Sequence, residues 1–113
     1  MVKKVYTPKQ GDIVFVDFSP QKGHEQTGKR PALVVSRTIF NGKTGLALVC
    51  PITTKNNGFP LHIPLPERMH TKGFVLTEHI RSIDSQAREA FFVEKVPTVF
   101  LAHILAILES FYR

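Results

Sequence analysis

A small, strongly bent antiparallel sheet closed by one terminal helix is the fold class this sequence predicts, mainly β with a C-terminal α element. Short runs of β-branched and aromatic residues recur along most of the chain, separated by glycine-, proline- and asparagine-bearing segments. The period changes only at the end, where apolar residues fall at 100, 101, 104, 105, 107, 108 and 111, the stripe of a helix. A length of 113 residues fits one domain around one core, spanning 1–113.

Gly11-Asp12 reads as a turn opening a first strand over 13–18. Residues 19–29 contain Pro20, Gly23 and Gly28 and little that is apolar, and so predict a long mobile loop. A second strand runs over 31–36, with Ile39 as its furthest extension. Asn41-Gly42 and Thr44-Gly45 carry hairpin-turn chemistry and join it to a third strand, Leu46–Thr53. The polar segment 55–58 follows, then shorter strands at 61–65, 73–77, 79–82 and 90–93. Prolines at 60, 64 and 66 confine the first of these to a sheet edge. Pro97 and Thr98 are helix start signals for a helix over 98–112. Its apolar residues cover more than the ~100° stripe that one core needs, which predicts that a partner subunit covers the surplus.

Hydrophobic residues make up 42% and charged residues 21%, so the chain is not disordered. No run approaches the roughly eighteen apolar residues of a membrane span. The basic start, Met1 to Pro8, has no apolar stretch behind it and does not read as a signal peptide. A net charge of +6 favours a polyanionic partner: nucleic acid, an acidic protein segment or a membrane surface. The lysines and arginines are dispersed, which predicts a structured basic face. Cys50 is the single cysteine, so no internal disulfide forms, as suits a reducing cytoplasm. It lies inside an apolar run and reads as a buried small hydrophobe. His62, His70, His79 and His103 show no metal-ligand spacing, and neither metal nor cofactor is expected. Phe59, Phe91 and Phe92 read first as core aromatics, with base stacking as the alternative.

The most informative stretch joins the long loop to the second strand: Glu25-Gln26-Thr27-Gly28-Lys29-Arg30-Pro31-Ala32-Leu33-Val34-Val35-Ser36. A glycine-bearing segment ends at a fixed proline, and Arg30 stands at the mouth of a buried strand where a rigid scaffold can aim it. The third strand ends in Thr53-Thr54, so the two strands can pool an arginine and threonines in one site. Three segments carry a resemblance: Gly11-Asp12-Ile13-Val14 with Asp17, then Gly23-His24-Glu25-Gln26-x-Gly28-x-Arg30-Pro31, then Pro51-Ile52-Thr53-Thr54, with a looser Glu78 to Asp84. Together they resemble the MazF/PemK (Kid) family of toxin endoribonucleases of type II toxin–antitoxin systems. The resemblance implies an SH3-like barrel with a C-terminal helix, the CcdB/PemK-like toxin fold, assembled as a homodimer. It implies cytoplasmic, metal-independent, sequence-selective cleavage of single-stranded RNA, mRNA above all. It also implies an acidic, MazE-like antitoxin with a disordered tail as partner.

RNA carries its own nucleophile. The ribose 2′-hydroxyl attacks the adjacent phosphate and leaves a 2′,3′-cyclic phosphate and a 5′-hydroxyl. The enzyme aligns the attack, moves protons and stabilises charge on the phosphorane. By the resemblance the catalytic residues are Arg30, Thr53 and Glu25. Arg30 has a planar fork matched to two phosphate oxygens and a charge it does not lose. Thr53 donates a neutral hydrogen bond. The general base stays open among Arg30, Glu25 and His24: an arginine is almost never neutral, and a carboxylate beside a guanidinium is a weak base. Glu25 has the alternative of pairing with Lys29 or Arg30. The RNA-binding set implied is His24, Gln26, Lys29, Ser36, Thr54, Lys55, Phe59, His79 and Arg81, with an Arg81–Asp84 ion pair as the alternative for the last. Two other functions fit the fold, a gyrase-poisoning toxin of the CcdB type and a non-catalytic RNA-binding barrel. The first relies on a C-terminal tryptophan-glycine-isoleucine tail, whereas this chain has no tryptophan and ends Ser110-Phe111-Tyr112-Arg113.

Overall fold

The structure, a computed structural model, describes residues 5–19 and 28–113. The described elements run β1 (Asp12–Asp17), β2 (Lys29–Val34), α1 (Thr38–Thr44), β3 (Leu46–Thr53), β4 (His62–Pro64), β5 (Phe74–Leu76), a 3₁₀ turn (Thr77–His79), β6 (Arg81–Asp84), β7 (Phe91–Lys95) and α2 (Thr98–Glu109). The strands lie in the order β4-β5-β3-β2-β1-β7, with β6 beside β3, and every pairing is antiparallel.

β3 sets the shape. One of its edges pairs with β2, from Val34↔Val49 to Ala32↔Pro51. Its other edge pairs with β6 over Leu46–Val49 and with β5 at Ile52 and Thr53. A strand that changes partner along one edge carries the sheet around a corner, which is the strong bend expected. Among the described residues the end strands β4 and β7 do not pair, so the sheet is an incompletely closed barrel. β4 has only three residues, includes Pro64 and lies between Pro60 and Pro66, so it has little ladder to offer.

Both faces of the bend are apolar. Ile13, Leu33, Val35, Cys50, Ile52 and Val75 pack with Ile104 and Leu108 of α2 on one side. Val14, Val16, Phe18, Ala32, Val34 and Val49 fill the other. Strands buried on both faces read as continuous apolar runs, which is why β1 and β2 show little alternation. In α2, Phe100, Leu101 and Leu105 are partly buried against the same core. The exposed apolar surplus is therefore concentrated at the helix ends, in Val99 and Phe111.

Several expectations need correcting. Residues 41–45 form no hairpin turn; they lie at the end of α1 and its cap. Asn41 is buried, its amide donates to the carbonyls of Pro8 (2.8 Å) and Ser36 (3.3 Å), and Gly45 closes the helix in the left-handed region. A side chain that satisfies distant backbone groups won over local turn preference. The expected strand over 79–82 starts as the 3₁₀ turn and becomes β6 two residues later. Phe59, Phe91 and Phe92 are about half exposed rather than in the core. β7 is an edge strand, and Phe91 leans on the Phe15 ring at 5.6 Å instead of entering the filled interior. Cys50 is fully buried and free, as its apolar setting predicted. No helix among the described residues is long and apolar enough to cross a membrane.

Candidate functional site

The chain leaves β1 at Asp17 and returns at Lys29 through a clamped neck. The Phe18 N–H donates to the Gly28 carbonyl (2.9 Å), and the Gly28 N–H donates to the Ser19 hydroxyl (3.2 Å). Arg88 Nη1 ties the neck down by donating to the Ser19 carbonyl at 2.8 Å. The clamp fixes where β2 begins, and Arg30 is its second residue. The β2–β3 ladder stops at Ala32↔Pro51. Carried two residues further along the same register, Arg30 falls opposite Thr53. A step of two returns to the same face of each strand, so both side chains leave on one side where the strands part.

A cleft of about 660 Å³ opens there. Its polar lining includes Arg30, Thr53, Thr54, Lys55, His62 and His79. The Thr53 hydroxyl accepts the Lys55 N–H at 3.2 Å, which leaves its own hydrogen to donate. Behind Thr53 lies Gly73, at φ +129°, where an added Cβ would meet the Thr53 carbonyl oxygen at 2.3 Å. Only glycine lets β5 approach that closely, so Gly73 helps seat Thr53.

The far wall is built by register. β4 pairs with β5 with His62 opposite Leu76, two residues before Glu78. The buried Thr77 hydroxyl donates to the Leu61 carbonyl (2.7 Å) and locks the 3₁₀ turn to the start of β4. His62 Nε2 then lies 2.6 Å from Glu78 Oε2, and His79 Nε2 lies 3.8 Å from the same oxygen. His62 Nδ1 is buried with no hydrogen-bond partner among the described residues. Phe59 packs edge-on against the His62 ring, centroids 5.0 Å apart. Beneath the cleft, burial first and the Glu78 charge second push the Cys50 thiol up to about 12, so it stays protonated and is no nucleophile.

The cleft brings together five of the expected residues: Arg30, Thr53, Thr54, Lys55 and His79. Phe59 reaches its edge through His62. Lys29 is exposed beside it at the start of β2. Glu25, His24 and Gln26 lie outside the described residues. Ser36 is placed elsewhere: it is buried, its hydroxyl bonds Asn41, and it accepts the Leu48 N–H at 2.9 Å, so its role here is to brace α1 against β3. Arg81 is also off the cleft lining. Its guanidinium lies over the Phe18 ring at 5.2 Å, and it does not pair with Asp84, whose carboxylate accepts the Gln86 and Ala87 N–H groups of the next turn. His62 on the cleft wall, and Glu78 bonded to it, were not singled out for this site by sequence reading. Their partnership depends on strand register across sixteen residues, and no local spacing announces it.

The sequence profile of the family described as PemK-like, MazF-like toxin of type II toxin–antitoxin systems matches residues 9–112. The endoribonuclease toxin MazF of Escherichia coli K12 is 42% identical over 85 residues, covering 75% of this chain and 76% of that protein. The endoribonuclease toxin ChpB of the same strain is 46% identical over 98 residues, with 80% of each covered. Among solved structures, MazF of Deinococcus radiodurans superposes with a TM-score of 0.89 at 41% identity, over 95% of this chain and 97% of that one. The MazF chain seen with MazE from the same organism gives 0.84 at 41% identity, over 95% and 96%.

Proposed function

The chain belongs to the PemK-like, MazF-like toxins of type II toxin–antitoxin systems, and on that premise we propose that it is a metal-independent, sequence-selective endoribonuclease acting on single-stranded RNA, with mRNA as the growth-limiting target. The convergence of Arg30 and Thr53 on one cleft is the observation that carries this reading. Arg30 neutralises the charge that builds on the phosphorane, and the Thr53 hydroxyl orients a phosphate oxygen by a hydrogen bond. Lys55 and the overall +6 charge draw the polyanion in. Exposed Phe59 offers a ring on which a base can stack. The matched relatives carry the endoribonuclease name, which does not favour the gyrase-poison reading.

The deciding experiment incubates purified protein with labelled single-stranded RNA in EDTA. Cleavage to 2′,3′-cyclic phosphate and 5′-hydroxyl ends is the expected result, and RNA left intact refutes the assignment. Two assemblies belong to the same reading. A homodimer covers the apolar ends of α2, and light scattering that returned only the 12.7 kDa monomer at micromolar concentration would remove it. An acidic antitoxin tail occupies the phosphate positions of the cleft in the cytoplasm, as suits a basic toxin whose relatives are solved with MazE. It should then compete with RNA for a catalytically dead variant.

A further inference from the structure

We propose that His79 is the general base of the cleavage reaction, and that Glu78 and His62 are positioning residues that aim it; the inference rests on the ribonuclease reading above. The cleft needs such a group. A guanidinium such as that of Arg30 offers donors and no acceptor, and Thr53 is a neutral hydroxyl, so neither is suited to take a proton from a ribose hydroxyl. Among the described residues, the cleft-lining side chains with a ring nitrogen that can accept a proton are those of His62 and His79.

The two histidines are unequal. The His62 side chain is 9% exposed and that of His79 is 34% exposed, so His79 is the ring that a substrate meets. Glu78 lies between them, with one carboxylate oxygen 2.6 Å from His62 Nε2 and 3.8 Å from His79 Nε2. At 3.8 Å the Glu78 carboxylate is beyond hydrogen-bond reach of His79 Nε2 but close enough to favour positive charge on that ring. The same carboxylate stabilises the imidazolium once the proton arrives. His62 has no other evident purpose in the cleft: its Nδ1 is buried without a partner among the described residues, a costly arrangement for a purely structural side chain. Its one strong bond is the one that fixes Glu78. Behind it, Thr77 is fully buried and bonded to Leu61, so the 3₁₀ turn carrying Glu78 and His79 is held to β4.

The step balances without a co-reactant beyond water. The 2′-hydroxyl proton passes to a ring nitrogen of His79 as the 2′-oxygen bonds to phosphorus. The bond from phosphorus to the 5′-oxygen breaks, and the departing oxygen takes a proton from water. The imidazolium then returns its proton to the hydroxide so formed. The ionisable surroundings are Arg30 from β2, Lys55 after β3, His62 from β4, the Cys50 thiol near Glu78, and exposed His103 and Glu109 on α2, which packs on this turn.

The test is the pH dependence of RNA cleavage in EDTA, measured for wild type, His79→Gln, His79→Ala, Glu78→Gln and Arg30→Ala. The wild-type rate should fall on the acid side as the base takes up a proton. His79→Gln should lower kcat by about 10²–10⁴ and abolish that acid limb, and added imidazole should restore part of the rate to His79→Ala. Glu78→Gln should lower kcat with little change in KM and shift the limb to lower pH, because the imidazolium has lost its carboxylate. A His79→Gln enzyme that keeps the wild-type limb, or that changes KM alone, overturns the proposal. If Arg30→Ala is then still dead, the ribonuclease reading survives that failure. A wild-type protein that cleaves no RNA removes both.

Discussion

Two parts of the molecule carry the family resemblance equally well in sequence and are built in opposite ways. At the opening of β1, Asp12 is 1% exposed, and its carboxylate is fully occupied: the Tyr6 hydroxyl, the Lys9 N–H (3.0 Å) and Lys95 Nζ (2.7 Å) all donate to it. Next to it, Gly11 adopts φ +94° and leaves room for Leu101 of α2, which a Cβ would meet at 3.2 Å. Its N–H and carbonyl join Val34 and Val96. The same network raises the Tyr6 phenol, through burial first and its bond to Asp12 second. In the cleft, by contrast, a guanidinium, a lysine, two threonines and two imidazoles surround open space, and one imidazole nitrogen is buried without a partner among the described residues. The first region uses its polar groups to join β1, β7 and the N-terminal segment. The second gathers its polar groups around the mouth of a cleft. A motif residue therefore declares its role through what its polar atoms already touch.

Substitutions should separate the two regions. The largest effect is expected at the cleft: Arg30→Ala should reduce cleavage by on the order of 10²-fold or more while circular dichroism and the unfolding midpoint stay near wild type. An active Arg30→Ala protein would break the contrast by making Arg30 a bystander. Asp12→Asn should do the reverse. Replacing the charged acceptor should cost about 1–3 kcal/mol of stability, towards the lower end because Lys95 is 54% exposed and already solvated. Cleavage per folded molecule should be unchanged, so a dead but stable Asp12→Asn protein would show that the scaffold and the site are not separate.

The smallest effect is expected at Glu94, on β7 beside Asp12. Burial alone would raise its pKa, but hydrogen bonds from the Thr71 hydroxyl and from the Thr71 and His70 N–H groups outweigh it and hold the carboxyl below the ordinary carboxylate value. A depressed folded-state pKa means that the stabilisation is complete above the unfolded pKa and is lost as the pH falls through the folded one. Urea midpoints should therefore drop in that acid window for wild type and drop less for Glu94→Gln. Identical acid profiles would show that the Thr71 contact carries no linkage.

Much of this protein was legible in one dimension. β3 matches its expected bounds of Leu46–Thr53, and β1, the short edge strand β4 and the terminal helix fall within a few residues of theirs. Runs of β-branched residues, prolines that exclude ladder bonds and a 3.6-residue apolar stripe act locally, so sequence alone determines them. Arg30 and Thr53 were legible as a pair because one stands at the start of its strand and the other at the end of its own. Three things were decided only by tertiary structure. Asn41 satisfies the distant Pro8 carbonyl as well as that of Ser36, and the expected hairpin loop became α1. Ser36 was drawn into the scaffold by Asn41 and by Leu48 of β3, and Arg81 by Phe18, far away in sequence. His62, Glu78 and His79 met because β4 and β5 pair in one register. A register slip of one residue would turn each side chain to the other face, so that constellation exists only once the sheet has formed.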